Sequence, residues 1–341
     1  MNKILITGGL GFIGTNLILK LLENKDNNIL NIDKFSYSSN LYLQKKFYSN
    51  LKNINLNLLN LKKLENLIKK FKPNIVYHLA AETHVDVSIN NPAVHYDNNT
   101  KATLNLLMIL QSAFQKGIVD KKFKFIHIGT DEIYGDLDFN SKKSFDENQP
   151  LDPNNPYSAS KAAAVMMVKT WHKNFNFPCI ITNSVNNFGP FQFIEKFIPR
   201  SILLGINNKH IEVYGKGQNI RSWISVQDHV DALIYLSKKG KIGETYNISS
   251  GHKLSNLDLA KKIKQMLKNK GFDTTVKLVT DRLGHDRQYS INCNKILKLG
   301  WKPKTLFDQE LANTINWYLE KKNLYNFKNI KHHLTRKGII K

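Results

Sequence analysis

The chain opens on a short apolar run, Ile4-Leu5-Ile6-Thr7, that turns at once into Gly8-Gly9-Leu10-Gly11-Phe12-Ile13-Gly14 before an apolar helical pattern begins. No other feature narrows the possible folds so far. Glycines at 8, 11 and 14 suit a tight turn, close approach of the backbone to a pyrophosphate, and close helix–strand packing. The first turn of the helix then offers unpaired N–H groups and the positive end of its dipole to phosphate oxygens. A glycine motif by itself is a weak signal. Set between a strand and a helix, at the start of a strand–helix alternation, it becomes a strong one for dinucleotide binding.

That alternation is present. Apolar runs at residues 3–7, 28–33, 53–58, 74–79, 123–129 and 178–184 read as strands. Amphipathic stretches lie between them; Leu61, Leu64, Leu67, Ile68 and Phe71, for example, repeat at helical spacing. Such alternation argues for a parallel sheet covered on both faces, so the expected class is α/β with a Rossmann-type doubly wound parallel sheet. After about residue 185 the pattern changes to mixed short strands and helices, with helical stretches near 254–270 and 306–319. The expected organisation is a dinucleotide-binding domain over 1–185, which carries the catalytic residues and is open to later strands and helices. A smaller C-terminal α/β substrate-binding domain over 186–320 and a basic extension over 321–341 follow. The polar stretch 135–156 reads as a loop.

The 341 residues, 41% apolar and 23% charged, fit a folded chain with a sizeable core. No apolar run is long enough to cross a bilayer, so no membrane role is expected. Cys179 and Cys293 have neither metal-ligand spacing nor a disulfide framework, and Met1-Asn2-Lys3 lacks signal-peptide character. A reducing cytoplasm and no metal are expected. The formal net charge of +23 raises nucleic acid as a partner. Its lysines are scattered through every segment, however, which points to a solvated surface that helps to attract an anionic substrate, and no nucleic acid is expected. Arginine is scarce: only Arg200, Arg221, Arg282, Arg287 and Arg336 occur. A guanidinium offers a rigid fork that lysine lacks, and Arg221, Arg282 and Arg287 fall in two short stretches, 220–223 and 281–287. A diphosphate site and buried structural ion pairs account for that grouping equally well.

Asp33 closes the second strand, where a carboxylate can accept from both adenosine ribose hydroxyls and would repel a 2′-phosphate. This points to NAD rather than NADP; a turn cap is the plainer alternative. Tyr157 and Lys161 stand at i and i+4, on one face of a helix. A phenol of pKa about 10 is a poor base, and an adjacent ammonium together with a nicotinamide's charge would stabilise its phenolate. Thr130-Asp131-Glu132-Ile133-Tyr134-Gly135 follows the fifth strand at the carboxyl edge, where open α/β sheets bind ligands. Thr130 can hydrogen-bond a sugar hydroxyl beside Tyr157. The two neighbouring carboxyls supply what elimination of water needs: a protonated acid for the leaving hydroxyl and an ionised base for a carbon acid. A solvated acidic loop is the plain alternative.

Together these motifs resemble the extended short-chain dehydrogenase/reductase superfamily and, within it, the dTDP-glucose 4,6-dehydratases. The likeness includes residues 78–86 (His78-Leu79-Ala80-Ala81-Glu82-Thr83-His84-Val85-Asp86), 186–190, 195–199 and 214–217, and runs on to about residue 320. The Thr-Asp-Glu step is its most specific part, because related epimerases carry a serine-based motif there. The resemblance implies NAD, held by Gly8, Gly11, Phe12, Ile13, Gly14, Asp33, Asn57, Leu58, Ala80, Tyr157 and Lys161. It also implies a nucleotide-diphosphate sugar contacted by His84, Thr130, Asn186, Arg221, Asn256, Arg282 and His285, which favours the phosphate reading for Arg221 and Arg282. The implied catalytic residues are Thr130, Asp131, Glu132, Tyr157 and Lys161. Tyr157, helped by Thr130 and Lys161, takes the C4 hydroxyl proton during oxidation. Glu132 then takes the C5 proton, Asp131 protonates the departing C6 hydroxyl, and hydride returns to C6. The implied product is dTDP-4-keto-6-deoxy-glucose, in rhamnose-type deoxysugar biosynthesis; the alternative is a UDP-sugar 4,6-dehydratase or epimerase. A homodimer through helices near 95–117 and 157–175 is implied as well, although Leu104, Leu107, Met108, Met166, Met167 and Trp171 suit an internal core equally. Asn57 stands where the family has an acidic residue, Gly129 replaces a common serine, Val87 a common arginine and Ser222 a common aspartate.

Overall fold

All six apolar runs of the first half form strands: β1 (Asn2–Thr7), β2 (Asn27–Asp33), β3 (Leu51–Asn55), β4 (Ile75–His78), β5 (Lys124–Thr130) and β6 (Cys179–Ser184). The structure, a computed structural model, describes residues 2–322 apart from 41, 44–45, 140 and 282–284. The second half adds β7 (Asn186–Phe188), β8 (Ile211–Tyr214), β9 (Ile220–Ser225), β10 (Thr245–Ile248), β11 (His252–Ser255) and β12 (Val276–Val279). Seven strands make one sheet in the order β10-β6-β5-β4-β1-β2-β3, every neighbouring pair parallel. Its inner strands are buried on both faces, which is why they appear as near-continuous apolar runs rather than alternating ones. Strand order reverses between β1 and β4, and a doubly wound sheet binds its ligands in the crevice at that point.

The helices are α1 (Phe12–Leu22), α2 (Leu61–Phe71), α3 (Val85–Asn90), α4 (Pro92–His95), α5 (Ala102–Gln115), α6 (Pro156–Phe175), α7 (Phe197–Ile206), α8 (Val226–Lys239), α9 (Asn256–Lys268), α10 (Asn294–Lys298) and α11 (Phe307–Glu320). Helices α1 and α8 pack together, while α5 packs between α2 and α6. Helix α2 shows how local chemistry sets its ends. Asn60 accepts from Lys63 N at 3.2 Å as N-cap, Lys72 ends the helix in a left-handed conformation, and Lys69 and Lys70 lie at the negative end of the dipole. Strand β3 is shifted toward the N-terminus of the expected 53–58, because Asn57 Oδ1 accepts from Leu59 N at 2.9 Å and closes a turn. Leu56 and Leu58 are buried in that turn, so their apolar character mimics a strand.

Beyond β6 the chain builds a second core around Phe188, Ile202, Val213, Trp223, Leu259 and Tyr318. It is framed by a three-stranded sheet, β11-β9-β7, and a parallel pair, β12-β8. Residues 135–156 run mostly as a loop that crosses to 288–291 through bridges at Leu137–Gln288 and Phe145–Ile291. Among the described residues no helix is long and apolar enough to cross a membrane. Arg282 and most of the basic extension, from residue 323 on, lie outside the described residues.

Candidate active site

A cleft of about 1330 Å³ opens at the β1/β4 reversal. Every residue expected to hold the dinucleotide lines it, from the glycine turn through Asp33 and Asn57 to Tyr157 and Lys161. The turn packs backbone on backbone. Gly8 has φ +74°, and a Cβ there would come within 2.7 Å of Ala80 Cα; one at Gly14 would come within 2.4 Å of the Gly8 carbonyl oxygen. Gly11 caps α1 without any side-chain hydrogen bond, which leaves the first N–H groups of the helix for an anion. Asp33 serves the turn as well as the cleft: Oδ2 accepts from Leu10 N at 3.0 Å, and Oδ1 from Phe35 N at 2.9 Å and Ser39 Oγ at 3.2 Å. Burial raises its pKa, and these donors oppose the rise. Asn57 faces the cleft with its carbonyl already bonded to Leu59 N, so its acceptor is less available than the sequence suggests.

The carboxyl pair stands just past the end of β5. Thr130 caps a single 3-10 turn, Asp131–Tyr134, by accepting from Glu132 N at 3.4 Å. Asp131 is 2% exposed; its Oδ1 accepts from Thr130 Oγ1 at 3.4 Å, and Oδ2 has no hydrogen-bond partner among the described residues. Burial first, and the charge of Glu132 second, push its pKa well above the usual carboxylate range, against the pull of Arg221. Burial therefore favours the neutral, protonated form of Asp131 over the carboxylate.

Tyr157 begins α6, where Pro156 occupies the first turn and Asn155 and Ser158 form a reciprocal capping box. Burial, then the charge of Glu132, raise its phenol; a hydrogen bond from Thr130 opposes this and Asp131 adds to it. Lys161 Nζ donates one of its protons to the Ile128 carbonyl at 2.7 Å, and burial lowers its pKa to about 8. The i, i+4 spacing puts both side chains on the face that lines the cleft, and burial disfavours charge on each.

A second cleft of about 1150 Å³ adjoins the first, with Thr83, Glu195 and Lys196 lining both. His84, Glu132, Asn186, Arg221, Asn256 and His285 all line it. The Arg221 guanidinium lies 4.6 Å from the centre of the Tyr289 ring and donates to the carbonyls of Ile220 at 2.9 Å and Asp286 at 2.8 Å. These contacts fix its plane and occupy part of the fork. His285 Nδ1 is 2.6 Å from Asp281 Oδ1, and His84 Nδ1 accepts from Val87 N at 3.4 Å. Sequence reasoning missed Arg200, which is paired with Glu212 at 2.6 Å in this cleft; the scarcity of arginine, applied evenly, would have flagged it. Arg287 fits neither a diphosphate site nor a buried ion pair: it bonds Asp136 at 2.8 Å and also pairs with Asp138 at the surface. Among the described residues no group of three or more side chains is arranged to hold a metal ion.

The GDP-mannose 4,6 dehydratase family model matches residues 5–314. The dTDP-glucose 4,6-dehydratase of Haemophilus influenzae is 40% identical, over 94% of this chain and 98% of that protein. Its counterpart from Salmonella typhimurium is 39% identical, over 93% and 92%. The crystal structure of dTDP-glucose 4,6-dehydratase from Bacillus anthracis in complex with NAD superposes with a TM-score of 0.84 at 34% identity, covering 95% of this chain and 98% of that one. The Streptomyces venezuelae enzyme with NAD and TYD bound gives 0.86 at 31% identity, over 94% and 98%. With its glycine turn and Tyr–Lys helix lining one cleft and Glu132 lining the cleft beside it, the chain belongs to the dTDP-glucose 4,6-dehydratase family.

Proposed function

We propose that the protein removes water from dTDP-glucose to form dTDP-4-keto-6-deoxy-glucose, with NAD as a cofactor that ends each turnover as it began. The observation that carries this reading is the buried Asp131, its pKa pushed upward, beside cleft-lining Glu132 and Tyr157, where the cleft at the glycine turn meets a second, arginine-bearing one. When bound, NAD supplies a reversible hydride acceptor. Asp33 holds the adenosine ribose and disfavours a 2′-phosphate, while the glycine turn and the start of α1 receive the pyrophosphate. Tyr157, helped by Thr130 and Lys161, removes the C4 hydroxyl proton. Glu132 takes the C5 proton, made acidic by the adjacent ketone. Asp131 gives its proton to the C6 hydroxyl as that leaves. His84, Asn186, Arg221, Asn256 and His285, with Arg282 outside the described residues, hold the sugar and its diphosphate.

Residues 1–185 with later additions form the dinucleotide half, 186–320 mainly the substrate half, and 321–341 an extension. A cytoplasmic homodimer fits the two free cysteines and the exposed Met108 and Met166 on α5 and α6; Leu107, by contrast, is internal core. The UDP-sugar reading is less favoured: UDP-glucose 4-epimerase from Thermotoga maritima, at 24% identity, shares the fold. Incubation with dTDP-glucose and UDP-glucose separately, followed by mass analysis, tests the proposal. Loss of one water from dTDP-glucose is expected, and an unchanged dTDP-glucose mass would defeat the reading.

A further inference from the structure

Between the glycine turn and the Tyr157 helix lies a set of buried polar groups that no step of the reaction uses. Thr7 and His78 are register partners on β1 and β4, and the His78 ring bridges two hydroxyls. Nδ1 lies 2.6 Å from Thr7 Oγ1, and Nε2 lies 2.8 Å from Thr103 Oγ1. Thr103 Oγ1 in turn donates to the Asn99 carbonyl at 2.6 Å. A hydroxyl has one proton, so toward His78 Thr103 must accept. His78 is therefore the Nε2–H tautomer, and its Nδ1 accepts from Thr7. Burial, with the charge of Lys161 second, lowers its pKa to about 3 and keeps the ring neutral.

Asn99 and Thr100 carry the line onward from a π turn, Tyr96–Lys101, a feature frequent at functional sites. Asn99 Nδ2 donates to Ser160 Oγ at 2.8 Å and to the Glu82 carbonyl at 3.0 Å, and Thr100 Oγ1 donates to the Ser160 carbonyl at 3.0 Å. Ser160 lies between Tyr157 and Lys161 in the chain, and its hydroxyl donates to the Tyr157 carbonyl at 2.7 Å. A line of bonds with every proton assigned thus runs from the residue before Gly8 to the helix that bears Tyr157.

We propose that this linkage sets the Tyr157 hydroxyl at its working distance from the dinucleotide cradle, with His78 and Thr103 as positioning residues for oxidation at C4. The proposal rests on the dehydratase reading. A misplacement of about 1 Å by a change remote from the chemistry can lower a rate by about 10²-fold. Thr103→Val keeps the side chain's shape and removes its hydroxyl, and Thr103→Ser keeps the hydroxyl. For Thr103→Val the expected result is unchanged NAD content and KM, kcat lowered by about 10–100-fold, and slowed NADH formation in a single turnover. Thr103→Ser should recover most of the rate, which a loss of general packing would not predict. Independently of turnover, ¹⁵N NMR of histidine-labelled wild type should show His78 as the neutral Nε2–H tautomer. A folded Thr103→Val with wild-type kcat, or an Nδ1–H tautomer at His78, overturns the proposal. If wild type fails to dehydrate dTDP-glucose, the functional reading falls, and the tautomer still decides the linkage.

Discussion

Asp131 is almost wholly buried, whereas Glu132, its neighbour in the chain, reaches the second cleft. In the proposed reaction that difference divides their work. Glu132→Gln cannot accept the C5 proton, so turnover should fall by about 10²–10⁴-fold, the usual contribution of a positioned base. Oxidation at C4 should survive, and enzyme-bound NADH should accumulate when substrate is added. Asp131→Asn should slow water loss but leave C5 exchange with solvent deuterium less affected; wild-type exchange in Glu132→Gln would disprove its role as base. Burial of Asp131 also makes a stability prediction. Its folded pKa is raised, so its favourable contribution is present below the ordinary carboxylate range and is lost as the pH rises through the raised value. Asp131→Asn should therefore melt at a higher temperature than wild type in mildly alkaline buffer, with the gap closing toward a pH of about 4. Thermal melts across that range check the sign.

The β5 strand and the turn that follows it are built around a glycine. A Cβ at Gly129 would lie 2.2 Å from Asn183 Oδ1 on β6 and 2.9 Å from the Thr182 carbonyl oxygen. Asn183 uses the space: its Nδ2 donates to Tyr134 Oη at 2.8 Å, and Tyr134 donates to Asn247 Oδ1 on β10 at 2.8 Å. The turn that carries the carboxyl pair is thereby tied to two neighbouring strands. This accounts for glycine at 129: Asn183 on β6 fills the space that a side chain there would need. Gly129→Ser should destabilise by about 1–3 kcal/mol through overpacking. Combining it with Asn183→Ala should cost less than the sum of the two single changes, because the two residues share one space. Additive losses of melting temperature would show that the residues do not compete.

At the scale of the whole molecule, the net charge of +23 acts over distances that hydrogen bonds do not reach. A nucleotide diphosphate is drawn toward such a surface, and salt screens the attraction over a Debye length of about 8–10 Å near physiological ionic strength. Raising the salt concentration should therefore lower kcat/KM for the nucleotide sugar while leaving kcat nearly unchanged, since the chemical step acts at short range within the clefts. Initial rates over a salt series measure this. A flat kcat/KM would mean that the lysines serve solvation and nothing more.

The glycine turn, the strand–helix alternation, the Tyr157/Lys161 spacing and the Thr-Asp-Glu step were legible in the residues because each depends on near neighbours in the chain. A turn needs its glycines within a few positions, and a helix face repeats at i and i+4. Tertiary structure alone decided that β10 completes the parallel sheet, that Arg200 faces the second cleft and that Arg287 pairs at the surface. It also decided that Lys161 Nζ donates to the Ile128 carbonyl, and that Asp131 is the carboxyl kept from water. Burial sets those outcomes, and burial is supplied by segments far away in the chain; Tyr134 and Asn247, which share a hydrogen bond, are 113 positions apart. The charge a side chain carries depends on what excludes water from it, and no short stretch of sequence contains that information.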